Sequence, residues 1–138
     1  MTRDSTLDLL GLSDEPYVSL TTFRRSGVGV STAVWIVRDG DELLVTTSDG
    51  TGKVKRLRHD DRVELRPCGR TGRVRDGEPA RHGTASVDRS QAAGDAASAL
   101  FLRKYRLAYR LFLLVERIAS RRRPMTRVLL RIRRPLVP

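Results

Sequence analysis

The sequence predicts a mainly β fold, a small antiparallel barrel with helices packed on its outside. Three observations lead there. Short runs rich in β-branched and aromatic residues recur between turn signals. Most neighbouring runs are joined by hairpin-length connections. Two helical stretches interrupt the series, one short and one long enough to lie along a barrel wall. A chain of 138 residues that is 39% hydrophobic suits one domain with one core, and no repeat or linker divides it.

Residues 1–15 read as a leader with a short helical turn, its Leu7, Leu9 and Leu10 set to dock on the body. "YVSLTTF", Tyr17 to Phe23, is the first strand, and "RRSG" supplies the turn after it. Val28 to Arg38 is the second. Val28, Val30, Thr32, Val34 and Ile36 share one face, and Gly29, Ser31, Ala33, Trp35 and Val37 share the other. Neither face is charged before Arg38, so both are expected to be covered. "DGDE" is a hairpin turn with Asp-Gly at its centre, and Glu42 to Thr47 is the paired third strand.

Lys53 to His59 then reads as a short helix, with Val54 and Leu57 on one side. "RVELRPC" and "HGTASVD" are the fourth and fifth strands, separated by the polar, glycine-rich "GRTGRVRDGEPARHG". The long helix is expected over 90–123. Phe101, Tyr105, Ala108, Phe112, Val115 and Ala119 make its apolar stripe, Arg103, Arg106, Arg110 and Arg117 follow another face, and Pro124 ends it. The last strand, 126–133, sets Val128, Leu130 and Ile132 against Arg127, Leu129, Arg131 and Arg133.

The charge is unevenly placed. From Leu100 to Pro138, twelve Lys or Arg face a single acid, Glu116, and this segment alone carries the whole net charge of +11. A neutral body with a basic end is a weaker pointer to nucleic acid than a basic domain would be. Aromatics are only 5% of the chain, and those of the long helix are committed to its stripe, so a stacking platform for single strands is poorly supported. An anionic membrane surface, an acidic cofactor tail or plain solvent are the other readings of that face. The N-terminus lacks the basic start and apolar centre of a signal peptide, and "LFLLV" is far too short to span a bilayer. A soluble cytoplasmic protein is the expectation.

The sharpest local pattern is "TTSDGTGKVKR". Amides at a glycine turn and a helix start favour an anion, and Lys53, Lys55 and Arg56 add charged donors. A small-ligand phosphate fits, and so does a solvated basic helix. It is no Walker loop, because Thr47 stands where the first glycine is required. Trp35, the one tryptophan, reads as core or as a ring platform, and Thr46, Thr47 and Ser48 as hydroxyls that could meet a heterocycle's edge. His59 and His82 have no carboxylate or cysteine at ligand spacing, so no metal site is expected. Cys68, the one cysteine, reads as a buried inert thiol. With no nucleophilic triad or carboxylate pair, any chemistry is expected to be a cofactor's.

Taken together, "TTFRR-G", "VSTAVW" and "GKVKRLR" ahead of "RVELRPC" resemble the PPOX class F420-dependent oxidoreductases. These are flavin and deazaflavin split-barrel proteins related to pyridoxamine 5′-phosphate oxidase. The likeness is close from Tyr17 to Val74 and looser through the long helix and last strand. It implies a six-stranded antiparallel split β-barrel of the FMN-binding type, with a short helix after the third strand and the long helix before the last. It also implies a homodimer with cofactor sites at the interface. By this resemblance "GKVKR", with Lys53, Val54, Lys55 and Arg56, holds the cofactor phosphate. Thr32, Val34 and Trp35, with Thr46, Thr47 and Ser48, line the ring. The cofactor is coenzyme F420, or alternatively FMN, and some relatives bind haem. Ala33 stands where members carry proline, and Ile36 where they often carry an aromatic. The implied activity is hydride transfer between the reduced cofactor and an unsaturated small molecule. A non-catalytic carrier of a flavin- or haem-type ligand and a nucleic-acid-binding protein are the competing classes.

Overall fold

The alternating runs form seven antiparallel strands in a computed structural model that describes residues 9–120 and 127–135. They are β1 (Val18–Phe23), β2 (Gly29–Val34), β3 (Val37–Asp39), β4 (Glu42–Ser48), β5 (Arg62–Pro67), β6 (Arg81–Asp88) and β7 (Arg127–Arg133). Helix α1 (Gly52–Leu57) follows β4, and helix α2 (Gln91–Ser120) lies between β6 and β7. The strand order is β2-β1-β5-β6-β7-β4-β3. The two outermost strands are therefore consecutive in the chain, joined only by Trp35 and Ile36. That short link makes the sheet curl back towards itself, which is the split-barrel arrangement.

Seven strands replace the expected six because the run 28–38 breaks in the middle. Its first part pairs with β1 (Val34 opposite Val18) and its second with β4 (Val37 opposite Leu44). At the break, Ile36 takes its backbone partners from α2. Its N–H donates to the Tyr105 hydroxyl at 3.0 Å, and its carbonyl accepts from Lys104 Nζ at 2.6 Å. Those bonds replace a sheet partner and hold the bend.

Two apolar layers result. Inside the curl lie Val18, Leu20, Val45, Leu65, Leu130 and Ile132, among others. Leu9, Leu10 and Leu12 join them, so the leader docks as expected, although Leu7 lies outside the described residues. Outside the sheet, Leu44 and Leu129 pack beneath Ala97, Phe101 and Tyr109 of α2. The outward face of β2 departs from expectation: Gly29, Ser31 and Ala33 are exposed in the single chain. The hairpin turn also shifts by one residue. Asp39 pairs with Glu42, so Gly40 and Asp41 are central and Gly40 supplies a φ of 63°.

Helix α2 is broken at Arg106, whose φ of 46° and ψ of −115° are not helical. The break shifts the phase of the apolar stripe. Phe101, Tyr105 and Phe112 pack inward as expected, but Tyr109 takes the buried place expected of Ala108. Ala108, Val115 and Ala119 are exposed. The expected helix end at 123 and Pro124 lie outside the described residues. The basic face of β7 is neutralised rather than solvated: Arg131 pairs with Asp88 and Glu42 at 2.9 Å, Arg133 with Glu42 and Arg127 with Glu116.

Close approach of β6 to β7 needs a glycine. A Cβ on Gly83 would lie 2.8 Å from the Arg133 carbonyl oxygen and 3.2 Å from Ile132 Cγ2. Gly83→Ala is expected to cost about 1–3 kcal/mol by forcing the strands apart. Urea denaturation measures it, and an unchanged midpoint would show that β7 moves freely.

Candidate functional site

At one end of the curl, β4 and β7 end side by side, with Thr46 opposite Leu129 and Ser48 opposite Arg127. The turn after β4 is closed by Thr51, whose N–H and hydroxyl both donate to the Ser48 carbonyl, at 3.2 and 2.9 Å. This turn sets α1 over the strand ends. Between them and the bend at Trp35 is a cavity of about 240 Å³. Val34, Trp35, Thr46, Thr47, Lys53 and Arg127 line it, together with Tyr17, Ala33, Arg70 and Phe112.

The cavity is bordered by both aromatic and cationic side chains. Trp35 stacks on Tyr105 with ring centroids 4.7 Å apart and meets Phe112 edge-on at 5.4 Å. That packing fixes the indole and leaves it bordering the cavity. Arg127 lies over the Phe112 ring, donates from Nε to Thr46 Oγ1 at 3.1 Å and pairs with Glu116, so its charge is largely answered. Lys53 differs. It is half-buried, and among the described residues no carboxylate pairs with it. Burial first, then the Arg56 and Arg127 guanidinium groups, hold its ammonium below the usual lysine range. A partly desolvated cation without a counter-ion is a receptor for an anion.

Of the sequence-derived residues, five meet at this cavity: Val34, Trp35, Thr46, Thr47 and Lys53. The others stand elsewhere. Thr32 lies on the inward face of β2, its hydroxyl buried with no hydrogen-bond partner among the described residues. Ser48 closes the turn through its carbonyl. Val54 is fully buried in the core-facing side of α1, and Lys55 is exposed. Arg56 turns away and donates to Thr22 Oγ1 at 2.6 Å. Helix α1 has only six residues, and Thr51 makes no side-chain cap. The attraction for an anion therefore lies in side chains rather than in a helix dipole.

Tyr17, Arg70, Phe112 and Arg127 were not assigned to a site from the sequence. The alternation of the last strand marks Arg127 as a member of a basic face, but nothing local marks Arg70 in its glycine-rich loop. His59, beside Arg25, and His82, beside Glu64, are exposed and do not border the cavity. Cys68 is half-buried rather than buried, borders a different hollow, and has its thiol pushed up by burial. A larger hollow of about 360 Å³ lies between α2 and β7 and meets the first at Thr46 and Arg127. Its mixed lining of Asp88, Arg89 and Asp95 has no unanswered cation comparable to Lys53.

No family model and no curated protein matches the sequence. Solved structures do match in shape. An F420 reductase is 17% identical, with 89% of this chain and 90% of that one covered at a TM-score of 0.58. The Mycobacterium tuberculosis protein Rv2991 is 18% identical, with 98% and 82% covered at 0.66. The Vibrio cholerae haem storage protein HutZ is 12% identical, with 95% and 90% covered at 0.62. At these identities the likeness establishes the fold alone, a split barrel shared with an F420 reductase and a haem storage protein. Among the described residues, no helix is long and apolar enough to cross a membrane.

Proposed function

We propose that the cavity binds a flavin-type cofactor, coenzyme F420 or alternatively FMN, and that the protein is an oxidoreductase acting on an unsaturated small molecule. One observation carries the reading: the indole of Trp35 lines the same cavity as a half-buried lysine that has no counter-ion among the described residues. The donor set fits a ring that bears a phosphate. Lys53, with Arg70, would hold the phosphate. The Thr46 and Thr47 hydroxyls would meet the ring's polar edge, and Val34 and Trp35 its apolar surface. The F420 reductase among the structural neighbours supports the choice of cofactor.

The bound ring supplies the hydride chemistry, and the chain's own residues bind, orient and exclude water. Arg127 acts through position. Its bond to Thr46 and its pairing with Glu116 fix the hydroxyl that faces the cavity. The cavity is smaller than the roughly 300–1,000 Å³ of complete small-molecule sites. The flat, exposed face of Gly29, Ser31 and Ala33 is the surface on which a second copy would complete it, as a homodimer.

A carrier of the haem type is the second reading, favoured by the likeness to HutZ. Among the described residues the cavity's lining contains no His, Cys or Met to ligate iron, and Tyr17 is the one side chain there of a type that ligates haem. Turnover separates the readings. Reduced F420, or reduced FMN, mixed with an enone or quinone acceptor should be oxidised at a rate proportional to the protein present. Tight binding without turnover would identify a carrier instead.

A further inference from the structure

We propose that the C-terminal half of α2 is a docking face for an anionic lipid surface. Beyond the break at Arg106, the helix turns Tyr109, Phe112 and Glu116 towards the sheet. The opposite side should then be polar, as on an ordinary surface helix. It is not. Leu107, Leu111, Leu114, Val115 and Ile118 are between 53% and 79% exposed. On a regular helix, Leu107, Leu111, Leu114 and Ile118 fall within about 60° of one another, along about 17 Å of axis. A continuous apolar stripe of this kind marks an interaction surface rather than scattered exposure.

The charge beside the stripe selects the partner. Arg106, Arg110 and Arg117 are all exposed, and the sequence continues with Arg121, Arg122 and Arg123. The single acid of this segment, Glu116, faces the other way and is committed to Arg127. Exposed arginines thus flank exposed leucines, while the arginines of β7 are neutralised by Glu42, Asp88 and Glu116. Leucines bordered by arginines, with no acid between them, match the chemistry of helices that lie in the interface of an anionic bilayer.

A second copy of the chain fits less well. The stripe has a heptad-like spacing but is far shorter than the three to four heptads of a stable coiled coil. Arg110 and Arg117, seven apart on one flank, would bring like charges together against an identical helix. A nucleic acid duplex would use the arginines and leave the leucines in water. The inference stands independently of the cofactor reading, since none of these residues borders the cavity.

Co-sedimentation of the full chain with phosphatidylcholine vesicles, with and without phosphatidylglycerol, tests it across a salt series. The parent should prefer the anionic vesicles. Leu111→Ser with Leu114→Ser, which leaves the charge unchanged, should weaken that binding about tenfold or more. Arg110→Gln should weaken it about fivefold and flatten the salt dependence. Circular dichroism and thermal midpoints confirm that both variants are folded, as expected for substitutions at exposed positions. Three results would overturn the proposal. One is no preference for anionic vesicles. Another is a serine variant that binds like the parent, which leaves charge alone as the cause. The third is a serine variant that converts a dimer to a monomer in lipid-free sedimentation, which assigns the stripe to a second copy.

Discussion

Lys53→Ala is expected to weaken binding of F420 or FMN by about tenfold to a hundredfold, corresponding to the roughly 1.5–3 kcal/mol of a charge-assisted hydrogen bond. The fold should tolerate the change, because the Lys53 ammonium has no carboxylate partner among the described residues and Val54 and Leu57 hold α1 to the core. The pH dependence has a definite sign. In the free protein, burial and the two neighbouring guanidinium groups keep Lys53 below the usual lysine value of 10.5. A bound phosphate favours the ammonium and raises its pKa. Affinity should therefore be level around neutral pH and fall as pH rises through the depressed value of the free protein. In Lys53→Ala that alkaline fall should disappear. Isothermal titration calorimetry across the pH range measures both effects. Unchanged affinity in the alanine variant would place the phosphate elsewhere, with Arg70 the first alternative.

The second large effect is expected at Lys104. Its ammonium donates to three backbone carbonyls, those of Ser13 and Glu15 at 2.7 Å and of Ile36 at 2.6 Å. One side chain thus ties the leader and the strand bend to α2. Neighbouring Tyr105 reinforces it, since its hydroxyl donates to the Pro16 carbonyl at 2.8 Å and accepts from the Ile36 N–H. Lys104→Met keeps much of the apolar stem and removes all three donors. About 3 kcal/mol of destabilisation is expected, from carbonyls left without their charged partner. For a chain of this size that lowers the thermal midpoint by about 10 °C. The near-ultraviolet circular dichroism of Trp35 should weaken as well, since the bend fixes the indole against Tyr105. An unchanged midpoint would show that water replaces the ammonium without cost.

Local patterns carried most of the fold. Alternation located the strands to within about a residue at most ends, as in Glu42–Ser48 and Arg81–Asp88. The bend at Ile36 was invisible because its cause lies 68 residues away, in Lys104, and 69 away, in Tyr105. A β-branched run reads as one strand whether or not a distant side chain takes over its backbone partners. The break at Arg106 was hidden for a similar reason. Arginine is a good helix former, and nothing in its neighbours announces a positive φ.

The candidate site was legible where its residues are close in sequence. Val34 and Trp35, Thr46 and Thr47, and Lys53 come from two adjoining segments and do meet. Periodicity could not tell which of Lys53, Lys55 and Arg56 faces the cavity, because that depends on how α1 sits on β1 and β6. Arg56 reaches Thr22 instead. Arg70, Phe112 and Arg127 join the cavity through tertiary packing, so no local signal could unite them with Lys53.

The most direct test of the account is a titration of the purified protein with F420 and, separately, with FMN, following Trp35 fluorescence. The single tryptophan lies in the cavity wall, so a bound ring system should quench it. The account predicts saturable quenching by F420, or by FMN if that is the cofactor, shifted to higher concentration in Lys53→Ala. No saturable response to either ligand would contradict it.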